Sequence, residues 1–241
     1  MEGSRGLVVL GALAVAAIVV VYVVTRSDPP DTVVLVGDSI AEEAAPYLED
    51  ALDGPKLVPR VFGGTAPCDW TVEDVGAHKG DLVVLSFTGN STTPCMAAPG
   101  GGYLQGQALV DKYAKDVAAL VGGLRDLGAD VLLVGQPERG PGATGAEDVH
   151  GINAAYEALA DDDGVSFVDA GAAVENEDGT FAADLPCADG ERECGKDGRN
   201  RVRNTDGVHL CPQRPGGRQC KVYSSGAFRF AGAIADEIKG R

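Results

Sequence analysis

Short apolar runs alternate with longer amphipathic segments along most of the chain. Five runs rich in valine and leucine have the length and composition of buried strands: Thr32–Val36, Leu57–Phe62, Asp81–Phe87, Asp130–Gly135 and Val165–Val168. Four other segments carry apolar residues at helical spacing: Ile40–Leu52, Gln107–Leu127, Val149–Ala160 and Ser224–Lys239. Continuous apolar strands that alternate with helices indicate a mostly parallel sheet covered on both faces. The pattern therefore predicts an α/β protein, a three-layer α/β/α sandwich around a five-stranded sheet.

A different pattern precedes this domain. Residues 6–24 contain no charged side chain and, as a helix, would span about 28 Å, close to the hydrocarbon thickness of a bilayer. A cleaved signal peptide usually has a shorter apolar region, and the Ala-x-Ala pattern at Ala14 lies inside the run. We expect an uncleaved transmembrane signal anchor, with a cleaved signal peptide and secretion as the alternative. Residues 1–5 would then be cytoplasmic, 25–31 a linker and 32–241 the folded domain.

The six cysteines bear on the compartment, because Arg5 and Arg26 flank the apolar segment and give little charge asymmetry. An even number of cysteines behind a hydrophobic leader indicates disulfides and an oxidising, extracytoplasmic location. Two pairs would close short local loops and one would join loops after neighbouring strands. The expected pairs are Cys187–Cys194, Cys211–Cys220 and Cys68–Cys95. A zinc site is the competing interpretation, but no Cys-x-x-Cys pair occurs. We expect no metal.

The net charge of the chain limits the classes of partner that it can bind. A net charge of −16 disfavours nucleic acid, which requires phosphate neutralisation by lysine and arginine. The stretch Lys196–Arg203 is locally basic, and it is either a solvated loop that balances acidic neighbours or a contact for an anionic substrate. No glycine-rich phosphate loop with a Lys-Ser or Lys-Thr pair occurs, so a nucleotide cofactor has no support. We expect no cofactor, and a membrane contact only through the N-terminal segment.

Four polar residues combine into a possible catalytic site. A serine nucleophile needs a base, a carboxylate that orients this base, and donors for the oxyanion. Ser39 directly follows the first strand, where parallel sheets bind ligands, although it could instead cap the helix. Asp206 and His209 have a spacing that lets the carboxylate reach the imidazole, although an Asp-Gly turn beside a surface histidine is the alternative. Asn90 follows the third strand and could donate to an oxyanion or cap local backbone.

Taken together, the order Ser, Gly, Asn and Asp-x-x-His resembles the SGNH, or GDSL-type, hydrolase family. The resemblance covers residues 32–241 and implies a flavodoxin-like catalytic domain. It implies that Ser39 is the nucleophile and that Asp206 and His209 complete a catalytic triad. It further implies an oxyanion hole formed by the backbone N–H groups of Ser39 and Gly64 with the Asn90 side-chain amide.

The second sequence block of the family is the least clear match. Gly64 is our choice as the backbone donor, with Gly63 as the alternative, and Pro67 has no N–H to donate. The first block reads Gly-Asp-Ser-Ile, and its fourth position is not catalytic. The six cysteines and the run Gly89–Cys95 look like a secreted or membrane-anchored actinobacterial branch of the family.

The function implied by the resemblance is that of a serine esterase acting on an acyl or acetyl ester outside the cytoplasmic membrane. Two alternatives stay open: an O-acyltransferase of cell-envelope glycan that uses the same triad, and a non-catalytic glycan-binding domain. The partner would be a small-molecule, lipid or glycan ester. The sequence names neither the substrate nor the oligomeric state.

Overall fold

The computed structural model describes residues 30–160, 162–212 and 223–241. Within these ranges, no helix is both long and apolar enough to cross a membrane. The transmembrane segment predicted at residues 6–24 lies outside the described residues, as does Cys220, the expected partner of Cys211. Cys211 itself is disulfide-bonded.

Five parallel strands form the central sheet. They are β1 (Thr32–Gly37), β2 (Lys56–Val61), β3 (Leu82–Ser86), β4 (Asp130–Val134) and β5 (Val165–Val168). Their order is β2-β1-β3-β4-β5, and each neighbouring pair is parallel. The chain leaves β1 toward one side to form β2 and returns to its other side to form β3. The carboxyl end of β1 is therefore the point where the strand order reverses, which is where open α/β sheets bind ligands.

Helices cover both faces of the sheet and complete the predicted three-layer sandwich. They are α1 (Ser39–Ala51), α2 (Val72–Val75), α3 (Gln107–Asp126), α4 (Val149–Leu159) and α5 (Ser225–Lys239). Alternate residues of β1 enter opposite layers: Val33 and Leu35 pack with α1 and α5, whereas Val34 and Val36 pack with α3 and α4. Because both of their faces are buried, the central strands β1 and β3 are apolar at most positions, whereas β2 at the edge of the sheet carries the exposed Lys56 and Arg60.

The sequence pattern did not predict a small antiparallel pair, β6 (Asp184–Pro186) and β7 (Arg199–Arg201). Its strands are short and carry charged residues, so they show no apolar run. β7 lies in the basic stretch, and its arginines contact Asp184 across the pair: Arg201 forms an ion pair at 3.4 Å and Arg199 donates to the carbonyl oxygen at 2.6 Å. This part of the basic stretch therefore balances an acidic neighbour.

Candidate active site

Ser39 is the first residue of α1 and lies at the carboxyl edge of β1. Gly37 ends the strand against β3, and a Cβ there would overlap the Ser86 carbonyl oxygen and lie 2.6 Å from the Ala41 side chain. Only glycine fits this close approach. The helix is capped by Asp38, whose Oδ1 accepts the Ile40 N–H at 3.1 Å. The N-cap interpretation of Ser39 is therefore wrong, and its hydroxyl is available for another partner.

That partner is the imidazole of His209. The distance between Ser39 Oγ and His209 Nε2 is 3.0 Å, although the two residues are 170 positions apart in the chain. On the other side of the ring, Nδ1 lies 2.7 Å from Asp206 Oδ2. The second carboxylate oxygen of Asp206 accepts the backbone N–H groups of Val208 at 2.8 Å and of His209 at 3.0 Å. The structure thus brings the three predicted side chains into one continuous hydrogen-bonded chain.

The charge of Asp206 fixes the direction of these hydrogen bonds. Burial raises the pKa of this carboxyl, but the hydrogen bonds from the His209 ring, from its backbone and from Val208 outweigh burial and leave the pKa below its usual value. Asp206 is therefore ionised at neutral pH and can only accept. Nδ1 of neutral His209 then carries the proton, so that Nε2 is the ring atom able to accept the proton of the Ser39 hydroxyl.

Two further residues hold the loop that carries Asp206 and His209. Gly207 has φ +72°, and its carbonyl oxygen accepts the Gly140 N–H at 2.7 Å, which connects this loop to the loop after β4. The buried guanidinium of Arg203 donates to the carbonyl oxygens of Gly207 at 3.2 Å and Glu138 at 2.6 Å. Burial lowers the pKa of Arg203 to about 10, although the charges of nearby acidic groups, including Asp206, oppose this shift. The sequence analysis did not single out Arg203.

The buried carboxylate of Asp38, the residue before Ser39, connects the start of α1 to the loop after β3. Its Oδ2 accepts the backbone N–H and the hydroxyl of Thr88, both at 2.7 Å, and the side-chain amide of Asn90 at 2.8 Å. Burial raises the pKa of Asp38, although the bonds from Thr88 and Ile40 lower it in part. The sequence motif contained Asp38, but its type alone did not indicate this role.

The structure joins Asn90 to Asp38, the residue before Ser39, and the amide of Asn90 has a second protein partner. Besides Asp38, the Asn90 amide nitrogen donates to the Thr65 carbonyl oxygen at 3.1 Å. An amide nitrogen has two hydrogens. Donation to an oxyanion would therefore require one of these two bonds to be exchanged.

Gly64 lies in the turn that follows β2. Its φ is +86°, and a Cβ on it would meet nothing within 4 Å, so backbone conformation and not crowding favours glycine here. The neighbouring Thr65 accepts the indole N–H of Trp70 at 3.2 Å and bonds through its own hydroxyl to the Phe62 carbonyl oxygen at 2.8 Å. The predicted second block is therefore an ordered turn next to Asn90.

The disulfide Cys68–Cys95 joins the loop that contains Gly64 to the loop that contains Asn90. A second disulfide, Cys187–Cys194, closes a short segment after β6. Both are pairs that the sequence predicted. The first one connects two of the three loops around Ser39, whereas the second is distant from them in the sequence.

Removing the two disulfides should therefore have different consequences. Replacing Cys68 and Cys95 with serine opens a loop of 27 residues and should lower the free energy of unfolding by about 3–4 kcal/mol. Replacing Cys187 and Cys194 opens a loop of 7 and should cost about 2 kcal/mol. Urea denaturation measures both losses. Only the first variant should also lose the ester turnover that the sequence predicts, because only the first disulfide joins loops around Ser39, and equal turnover in the two variants would contradict this.

The three-layer α/β/α fold is shared with solved hydrolase structures, among them a GDSL-like lipase and an acetylxylan esterase. An acetylxylan esterase from Geobacillus stearothermophilus, solved as a catalytic mutant, has a TM-score of 0.58 and 18% identity, with 86% of this chain and 94% of that chain covered. A GDSL-like lipase from Bacteroides thetaiotaomicron has a TM-score of 0.54 and 17% identity, covering 87% and 88%. The catalytic domain of peptidoglycan O-acetyltransferase A from Streptococcus pneumoniae has a TM-score of 0.52 and 18% identity, covering 88% and 93%.

At these identities the likeness establishes a shared fold. The chain belongs to the DUF459 family, described as a protein of unknown function, whose family model matches residues 32–220. No curated protein matches the chain by sequence.

Proposed function

We propose that this protein is a serine ester hydrolase in which Ser39, His209 and Asp206 form the catalytic triad. The observation that carries the proposal is the chain of two short contacts, 3.0 Å from Ser39 Oγ to His209 Nε2 and 2.7 Å from His209 Nδ1 to Asp206 Oδ2. A hydroxyl, an imidazole and a carboxylate in this order are the groups that activate a serine for acyl transfer. The fold shared with esterases supports the same reaction class.

In the first half of the reaction, the Ser39 oxygen attacks the ester carbonyl carbon while its proton moves to His209 Nε2. The ionised Asp206 stabilises the resulting imidazolium through Nδ1–H. Collapse of the tetrahedral intermediate breaks the bond to the alcohol, which receives the proton from Nε2. In the second half, water loses a proton to Nε2 and attacks the acyl-serine, and Ser39 leaves with that proton.

The negative charge on the tetrahedral oxygen needs preorganised donors. The N–H of Ser39 belongs to the first turn of α1, where backbone donors and the helix dipole favour an anion. We assign the second donor to the Gly64 backbone and the third to Asn90. Of the two bonds that the Asn90 amide makes, the bond to the Thr65 carbonyl oxygen is longer than the bond to Asp38. We therefore expect Asn90 to exchange the bond to Thr65 for a bond to the oxyanion.

A polar cavity favours a polar substrate. It has a volume of about 210 Å³ and is lined by the two neighbours of Asn90, Gly89 and Ser91. Its other walls include Arg139, Thr144 and Glu147, so that few apolar groups are present to hold a long acyl chain. A short acyl or acetyl ester of a hydroxyl-rich compound such as a glycan fits these walls best.

The same cavity favours a second candidate, O-acyltransferase activity on a cell-envelope glycan. In this reaction a sugar hydroxyl replaces water in the second half, and the fold shared with a peptidoglycan O-acetyltransferase supports it. Acyl product formed on an added glycan, in competition with water, distinguishes transfer from hydrolysis. A non-catalytic glycan-binding domain would form neither product.

We propose that the domain acts outside the cytoplasmic membrane, held there by residues 6–24 as a single-pass anchor or secreted after cleavage. The length of this apolar segment supports an anchor. The disulfides Cys68–Cys95 and Cys187–Cys194 support an oxidising compartment. The cysteine-rich sequence is also consistent with the actinobacterial-type branch named above.

Labelling with a fluorophosphonate probe tests the triad. The probe phosphorylates a serine whose proton is taken by a neighbouring base, so that label is expected on Ser39 and peptide mapping should locate it there. Ser166 on β5 is a suitable control, because its hydroxyl contacts the Val131 carbonyl oxygen at 3.4 Å and the Arg241 guanidinium, and neither group is a base that could take its proton. A Ser166→Ala variant should label like the wild type. A wild-type protein that takes no label, or takes it at another residue, would refute the proposed function.

A further inference from the structure

The first turns of α1 bear a second group that contacts the catalytic loop. Glu43 lies four residues after Ser39, so that both side chains project from the same face of the helix. Glu43 Oε2 accepts the backbone N–H of Leu210 at 2.8 Å and that of Cys211 at 3.2 Å. Leu210 immediately follows His209. One face of one helix therefore contacts the imidazole of His209 through Ser39 and the backbone that carries this imidazole through Glu43.

Glu43 is buried, with 1% of its surface exposed. A carboxylate is rarely buried so completely unless partners compensate for its lost hydration. It lies among apolar residues of α1 such as Ile40, Ala44 and Leu48. A leucine or alanine at position 43 would continue this apolar face at no desolvation cost. The two backbone hydrogen bonds are what the glutamate adds.

The carbonyl groups of Leu210 and Cys211 bond to other residues, Ser224 and Asn204. The Ser224 hydroxyl donates to the Leu210 carbonyl oxygen at 2.7 Å, and the Asn204 amide donates to the Cys211 carbonyl oxygen at 2.7 Å. These contacts restrain the carbonyl groups of the segment relative to α5 and the preceding loop. Within the described residues, the bonds from the N–H groups of Leu210 and Cys211 to Glu43 restrain this segment relative to α1, the helix that carries Ser39.

We propose that Glu43 is a positioning residue that sets the distance between His209 Nε2 and Ser39 Oγ by holding the backbone after His209 against α1. This inference rests on the proposed function, since it assigns Glu43 to the triad described above. Without the carboxylate, the loop keeps its other contacts, including the one from His209 to Ser39, but the backbone after His209 loses its two hydrogen bonds to α1. A shift of about 1 Å between reacting groups can lower a rate about 100-fold.

Three substitutions at Glu43 separate the effect of side-chain length from the effect of side-chain charge. Glu43→Ala removes the acceptor, and Glu43→Asp keeps the charge but is one methylene too short to reach the two N–H groups. Both should lower kcat and the rate of fluorophosphonate labelling about 100-fold, with KM changed far less. Glu43→Gln keeps an oxygen that can accept two hydrogen bonds, so its rates should stay within about fivefold of wild type.

Leu48→Ala is the matched control for stability. Leu48 lies on the same helix and is fully buried, and its truncation should destabilise the fold without removing a contact to the catalytic loop. Its kcat should stay within about threefold of wild type under conditions where circular dichroism shows each variant folded. If Leu48→Ala lost as much kcat as Glu43→Ala, the loss in Glu43→Ala would be explained by lower stability and the positioning role would be overturned.

The outcomes separate the two proposals. If the wild type takes no label, the proposed function fails, and the role of Glu43 fails with it. If the wild type labels at Ser39 and both Glu43→Ala and Glu43→Asp label at its rate, only the role of Glu43 is overturned. Loss in Glu43→Gln equal to that in Glu43→Ala would overturn positioning through the acceptor oxygen. If Glu43→Ala fails to fold, the comparison of Glu43→Asp with Glu43→Gln still decides.

Discussion

Ser39→Ala should lower ester turnover by on the order of 10⁴-fold or more, with substrate affinity little changed. The substitution removes the oxygen that forms the acyl-enzyme and leaves His209 with no hydroxyl to activate. The remaining catalysis would come from the oxyanion donors and from substrate binding, which the substitution does not touch. The measurement is kcat and KM on a short-chain ester such as an acetyl ester, with probe labelling used to count active wild-type enzyme and to verify that the variant preparation contains none of it.

The size of the expected loss distinguishes a nucleophile from a structural serine. Ser39 is 7% exposed and is not the helix cap, so removing its hydroxyl should cost little stability. The melting temperature of Ser39→Ala should therefore lie close to that of the wild type. Turnover in Ser39→Ala within tenfold of wild type, in a preparation free of wild-type protein, would exclude Ser39 as the nucleophile.

The sequence predicted the central sheet because its strands are buried on both faces. The run Val33–Val36 is apolar and buried at every position, and this composition is typical of a strand inside a layered fold. The site could be predicted in part for the same reason. Ser39 and Asn90 follow such strands directly, and the carboxyl ends of neighbouring parallel strands meet at one edge.

The remaining features depend on tertiary contacts that leave no pattern in the sequence. β6 and β7 are three residues each, and their pairing is accompanied by contacts between arginines and Asp184, which a local window does not detect. Glu43 bonds to backbone groups 167 and 168 positions away, and one of the two backbone partners of Arg203 is 65 positions away. A weak signal existed for Glu43: a charged residue four positions after Ser39 lies on the helix face that otherwise carries apolar side chains. The residue type alone would have assigned it to solvent.

Asp206 has a further effect on the pH dependence of stability. Its folded-state pKa lies below the ordinary value for an aspartate, so that its ionised form stabilises the folded protein. This contribution is fully present above the ordinary aspartate pKa and is lost as the pH falls through the lowered folded-state pKa. Asp206→Asn should remove this part of the acid dependence, which acid titration of the two proteins followed by circular dichroism would measure.

Asp206→Asn should have a much larger effect on catalysis, because it reverses the hydrogen bond to His209. The two backbone N–H groups of Val208 and His209 require an oxygen at the position of Oδ1. The asparagine must place its oxygen there and its NH₂ group against His209 Nδ1. An NH₂ group can only donate, so Nδ1 must become the acceptor and the ring proton must move to Nε2. Nε2 then has no lone pair for the Ser39 proton.

This change of tautomer should lower kcat by on the order of 10⁴-fold while the geometry of the site is retained. ¹⁵N NMR of the His209 ring provides a direct readout, with the proton expected on Nδ1 in the wild type and on Nε2 in Asp206→Asn. Asp184→Asn, which affects an ion pair with Arg201 in the small sheet, is the control and should leave both the tautomer and kcat unchanged. An Asp206→Asn protein with near wild-type kcat would show that Asp206 does not orient the base, whatever the 2.7 Å contact indicates.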